Sequence, residues 1–89
     1  NALAILIFNC GSSSLSYKLF EPAGPNHLEV VCAGKAHRVG TRGTAGPFID
    51  HTWAGETYRT DGPLPNHAVA AGLVLDFLRQ HQLPVFARL

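Results

Sequence analysis

An unbroken apolar run, Leu3 to Phe8, halts without transition at Asn9-Cys10-Gly11-Ser12-Ser13-Ser14. So short a run cannot cross a membrane, and it has neither the basic flank nor the cleavage pattern of a signal peptide. It reads as a strand covered on both faces, central in a sheet, and the small polar residues after it read as a tight turn. Leu15 to Glu21 then alternates: Leu15, Tyr17 and Leu19 share one face, Ser16 and Lys18 the other, as in a strand exposed on one side. Pro22 to Asn26 holds two prolines and a glycine, and a third strand follows over His27 to Ala36. Breaks this short permit an antiparallel meander.

Gly40 to Pro47 carries three glycines and no apolar pattern, which predicts a loop. Phe48 to Trp53 and Glu56 to Thr60 flank Ala54-Gly55 as a small hairpin. Asp61 to Pro65 connects to Asn66, a good N-cap. Val69, Ala70, Leu73, Val74, Phe77 and Leu78 then recur at helical spacing, predicting an amphipathic helix over residues 67–81. Gly72 inside it costs about 1 kcal/mol relative to alanine, so a close packing neighbour is expected there. Pro84 ends the helix, and Val85 to Leu89 is apolar. The fold class is α/β (α+β): an antiparallel strand meander plus a small hairpin, with one helix packed on the sheet.

With 89 residues the chain holds at most one small domain, which buries only about 60 to 65% of its unfolded surface and gains from a covering partner. Seven Lys and Arg against six Asp and Glu give a formal charge of +1, no footprint for nucleic acid or an anionic membrane surface. Cys10 and Cys32 make neither a metal spacing nor a disulfide framework, and a reduced cytoplasmic setting is expected. The chain opens Asn1-Ala2 and contains no methionine, so its natural start is expected to lie elsewhere.

The turn after the first strand asks for a chemical explanation. Gly11 lets backbone approach a ligand, and successive N–H groups with the hydroxyls of Ser12, Ser13 and Ser14 offer donors to an anion such as phosphate. Asn9 adds a neutral oxygen able to orient hydrated Mg²⁺. A Walker-type loop needs a GK[ST] ending and a following helix, and neither is present. Residue types alone leave open a plain serine-rich hairpin whose hydroxyls bond their own backbone.

The stretch Ile-Phe-Asn-Cys-Gly-Ser-Ser-Ser-Leu-Ser-Tyr-Lys-Leu, residues 7 to 19, resembles the N-terminal signature of the acetate, propionate and butyrate kinases, relatives of actin, sugar kinases and Hsp70 chaperones. Cys32-Ala-Gly-Lys-Ala-His-Arg-Val-Gly40 and Leu64-Pro-Asn-His-Ala68 resemble that family's third strand and the opening of its first helix. The resemblance implies a ribonuclease-H-like lobe, here a partial N-terminal domain over residues 1–89, in a homodimeric enzyme that uses ATP/ADP and Mg²⁺ to interconvert a short carboxylate and its acyl phosphate. It implies Asn9 near the metal, and Gly11, Ser12, Ser13 and Ser14 at the phosphate end of the cleft. The family usually has lysine where this chain has Ser16, and Lys18, on the same strand face, is the candidate replacement.

No catalytic residue is expected within this chain. The family's phosphoryl-gripping arginines, histidine, aspartate and metal-binding glutamate would follow Leu89, and phosphoryl transfer depends on such positioned charge. The piece alone is therefore expected to be inactive, with an open sheet edge that invites a second copy. The competing reading is a non-catalytic phosphate- or protein-binding module with the same sheet.

The remaining candidates read as structural. Five histidines, His27, His37, His51, His67 and His81, show no ligand spacing, and His67 reads as a surface or loop-bonded residue at the helix start. Cys10 reads as a small buried filler, and Arg38 and Arg42 as solvated loop residues. Asp50, Glu56 and Asp61 read as exposed positions without a partner, and Trp53 as packed on the lobe surface or against a second domain.

Overall fold

The computed structural model describes residues 4–40 and 46–81. Strand β1 (Ile5–Cys10) turns back into β2 (Ser14–Gly24), which pairs with β3 (His27–His37). Strands β4 (Phe48–Trp53) and β5 (Glu56–Asp61) continue the antiparallel order β1-β2-β3-β4-β5, so the expected hairpin joins the meander in one sheet. Ala54 and Gly55, at φ 55° and 79°, make the two-residue turn between them, the left-handed pair that matches strand twist.

Helix α1 (His67–Gln80) lies across one sheet face. Leu15, Tyr17 and Leu19 of β2, Cys32 and Ala36 of β3 and Ile49 of β4 meet Ala70, Val74, Phe77 and Leu78 of the helix, all buried. The predicted helical and alternating periods thus land on a single core. Asn66 caps the helix as expected, its Oδ1 accepting from Val69 N–H at 2.8 Å. Gly34 admits the Tyr17 ring against β3; an added Cβ would collide with the Asp50 carbonyl and lie 2.6 Å from Tyr17 Cε1.

Four expectations are corrected. The first strand is not central and not covered on both faces: β1 is the sheet edge, with Leu6 and Phe8 on the core and Ile5 and Ile7 exposed by 39% and 52%. Continuous hydrophobicity requires two covers, and among the described residues helix α1 supplies one. Cys10 is exposed rather than a buried filler. Gly72 has open space where a side chain would go, not a close neighbour. Asp50 and Asp61 are partnered, Asp50 Oδ2 lying 2.7 Å from His37 Nε2 and Asp61 Oδ1 accepting from Arg59 Nε at 2.8 Å. Trp53 packs within the chain, against Tyr58 and His81. Arg42, most of the glycine-rich loop, Pro84 and the apolar end at Val85 to Leu89 lie outside the described residues.

Candidate functional site

The Asn9-to-Ser14 segment is a hairpin tip held from three directions. Gly11 N–H donates to the Ser14 carbonyl at 2.9 Å, closing the hairpin, and leaves Ser12 and Ser13 exposed beyond it. The turn is tight: a Cβ on Gly11 would stand 2.6 Å from Ser14 Oγ. Val39 N–H donates to the Ser13 carbonyl at 2.9 Å, tying the tip to the chain after β3. From the first residue of α1, His67 Nε2 lies 2.8 Å from the Gly11 carbonyl oxygen and 3.1 Å from that of Ser14. A carbonyl oxygen only accepts, so Nε2 carries a proton and donates. His67 is the loop-bonded residue expected.

Below the tip, on the sheet face opposite the helix, Asn9, Ser16 and Lys18 line a groove of about 290 Å³ with Ile7, Phe20 and Ala33. Ser16 faces Asn9 across the β1–β2 ladder, its hydroxyl 3.4 Å from the Asn9 carbonyl. The seven expected residues therefore divide into two adjoining groups. Gly11, Ser12, Ser13 and Ser14 form the tip, while Asn9, Ser16 and Lys18 form the groove.

Lys35 was not foreseen. It lies directly opposite Ser16 on β3, two residues along from Ala33, the partner of Lys18, so both ammonium groups rise from the same face. Neither lysine forms an ion pair with a described residue. Register explains the miss: extrapolating the Phe20↔Val30 pairing would set Ser16 opposite Gly34, but an irregularity between Leu19 and Phe20 moves Lys35 there. Further along this face, His37 holds Asp50, and the Arg59 guanidinium sits 3.9 Å over the Phe48 ring.

A second polar group is sealed under the helix. Tyr17 OH lies 2.7 Å from His51 Nδ1 and 3.3 Å from Cys32 Sγ, and His51 Nε2 lies 3.2 Å from Thr60 Oγ1. With a neutral imidazole one ring nitrogen donates and the other accepts, so Tyr17 and Thr60 are both satisfied in either tautomer. Burial, with His81 adding to it and Asp50 opposing, lowers the His51 pKa to about 4. Burial likewise raises Tyr17 and Cys32, keeping both protonated. Phe77 stacks on the His51 ring at 3.8 Å between centroids, so the cluster is core, shielded from substrate. The alternation Ile49, His51, Trp53 carried the signal for it.

The groove and tip can now be set beside known proteins. No family model matches the chain. It is 36% identical to the acetate kinase of Thermosipho melanesiensis over 81 residues, 91% of this chain and 18% of that protein. It is 38% identical to the acetate kinase of Clostridioides difficile over 76 residues, again 18% of that protein. The crystal structure of acetate kinase from Entamoeba histolytica superposes with a TM-score of 0.68 at 36% identity, covering 89% of this chain and 17% of that one.

In sequence and fold, the chain matches part of acetate kinase. The five-stranded antiparallel sheet with its single helix is thus an acetate-kinase-like α/β unit. The chain spans about a fifth of the length of its acetate kinase relatives. Among the described residues, no helix is long and apolar enough to cross a membrane.

Proposed function

We propose that this chain forms part of the phosphate side of a nucleotide cleft in an acetate-kinase-type phosphotransferase, a cytoplasmic, homodimeric enzyme transferring phosphate between ATP and a short carboxylate. The observation that carries the reading is that Asn9, at the strand end leading into the exposed Ser12-Ser13 tip, lines a groove together with Ser16 and Lys18. Amide, hydroxyl and ammonium groups converge there with no carboxylate among the lining residues, a donor set suited to a polyanion. Lys18 and Lys35 together supply the positive charge that Ser16 does not.

Asn9 fits Mg²⁺ only in a limited sense. Among the described residues, no cluster of His, Cys, Asp or Glu could cage a metal. A neutral amide oxygen suits an ion that keeps most of its water and rides on phosphate oxygens. The ion, when bound, would neutralise phosphate charge. The chain's own residues hold and orient the phosphates: the tip through backbone and hydroxyl donors, the lysines through charge.

A hydroxamate assay on the longest natural chain that carries this sequence, offered acetate, propionate and butyrate with ATP and Mg²⁺, tests the reading. Acyl phosphate should form with at least one acid, and nucleotide affinity should fall when Lys18 is replaced by alanine. Absence of product with all three acids, together with unchanged ATP binding in Lys18→Ala, overturns it.

A further inference from the structure

His67 does more than fasten a loop. In a trans peptide the C=O and the following N–H point in opposite directions. Holding the Gly11 carbonyl toward the helix therefore turns the Ser12 N–H the other way, out of the protein. Ser12 is exposed, and its N–H has no hydrogen-bond partner among the described residues. The Gly11 N–H and Val39 N–H bonds hold the tip through the Ser14 and Ser13 carbonyls but do not engage the Gly11–Ser12 peptide, which can flip beside a glycine with little rearrangement. The flipped form would present the Gly11 oxygen, a partial negative charge, where the donor had been.

We infer that His67 is a positioning residue for anion binding: its Nε2–H, 2.8 Å from the Gly11 oxygen and 3.1 Å from the Ser14 oxygen, locks the tip with the Ser12 N–H facing the phosphate. The inference rests on the phosphate-site reading above and deepens it by naming the group that sets the donor's direction. The ring can do this because it is rigid and is delivered by a capped helix start, the preceding residue Asn66 accepting from the Val69 N–H. It also couples two distant parts of the chain, so the tip's geometry depends on the helix being docked on the sheet. The Nε2–H is taken up by the Gly11 and Ser14 carbonyls, so in this role its effect reaches the ligand through the peptide.

The conservative variants separate this role from bulk packing. A glutamine amide nitrogen falls near the place of Nε2 and can donate to the same carbonyls. An asparagine nitrogen falls near Nδ1 and cannot reach. Binding of ATP and of inorganic pyrophosphate, measured by calorimetry on the full natural chain with wild-type, His67→Ala, His67→Asn and His67→Gln proteins, tests the inference. Loss of one well-oriented donor to a charged group weakens binding about tenfold or more. That loss is expected for alanine and asparagine with both ligands, with glutamine within about threefold of wild type. Wild type that binds neither ligand sinks the phosphate reading and the inference with it. Wild type that binds both, with alanine binding equally well, sinks the inference alone, as does equal weakening in all three variants.

Discussion

Replacing His51 should flatten the acid side of the stability curve. Its ring is fully buried and neutral, hydrogen-bonded through Nδ1 to Tyr17 at 2.7 Å and through Nε2 to Thr60 at 3.2 Å. The folded protein takes this proton only near pH 4, whereas the unfolded chain takes it near the ordinary value of 6.5. Between those values only the unfolded state is protonated, so stability falls as pH drops, by about 1.4 kcal/mol per pH unit. Across the whole window the loss is roughly 3 kcal/mol, a large share of the about 5 to 15 kcal/mol that holds a domain together. Above pH 6.5 the contribution is constant. The lone tryptophan, Trp53, packs beside Tyr58 and His81 and reports unfolding by fluorescence. Urea unfolding at half-unit steps from pH 7.5 to 4.5 should show wild type losing stability more steeply than His51→Asn, whose side-chain amide can still hydrogen-bond Tyr17 as donor or acceptor. The variant is weaker at neutral pH because it loses the Phe77 stack and the Thr60 bond. The difference in slope, in which the other histidines and carboxylates cancel, is the measured quantity. Parallel slopes, or an imidazole NMR titration placing His51 above about pH 6, would refute the argument.

Four further outcomes follow from the geometry. Ala54→Asn should stabilise the chain by about 1 kcal/mol in urea unfolding, because alanine at φ 55° bears a left-handed penalty that asparagine carries more easily. Gly34→Ala should cost several kcal/mol, since its Cβ meets the Asp50 carbonyl and the Tyr17 ring with no flexible group to yield. Leu78→Ala should lose about 2 to 5 kcal/mol while Ile7→Ala loses under about 1 kcal/mol, the first side chain being fully buried and the second half exposed. Lys35→Ala should weaken ATP binding several-fold at low salt and less at high salt, as exposed charges are screened; salt-independent affinity in the variant and wild type alike counts against a role for Lys35.

Most of the architecture was legible because local chemistry and burial agree. Leu15, Tyr17 and Leu19 alternate toward the core as the spacing requires, and the Val69-to-Leu78 period places Ala70, Val74, Phe77 and Leu78 on the sheet. Asn66 caps where an asparagine before an apolar period should. The position of β1 was illegible for a physical reason. A run such as Leu3 to Phe8 records how many faces are apolar, but not which neighbours cover them. In this chain one face meets the helix side, and the other leaves Ile5 and Ile7 in solvent.

The site shows the same division more sharply. Its turn could be read from composition, because glycine and serine at a strand end mark a tight turn with backbone and hydroxyl donors, whether or not an anion meets them. What those donors point at could not be read, because a peptide's direction is set by its partner, and the partner of the Gly11–Ser12 peptide lies 56 residues away in His67. Lys35 escaped for a related reason: one ladder irregularity beside Phe20 decides whether Ser16 faces glycine or lysine. Sequence pattern therefore identifies which donors the hairpin tip offers, and long-range register and a single imidazole set the geometry around them. If that division holds, variants at Ser12 to Ser14 should change how much phosphate is bound, and variants at His67 should change whether the tip is set to bind it at all.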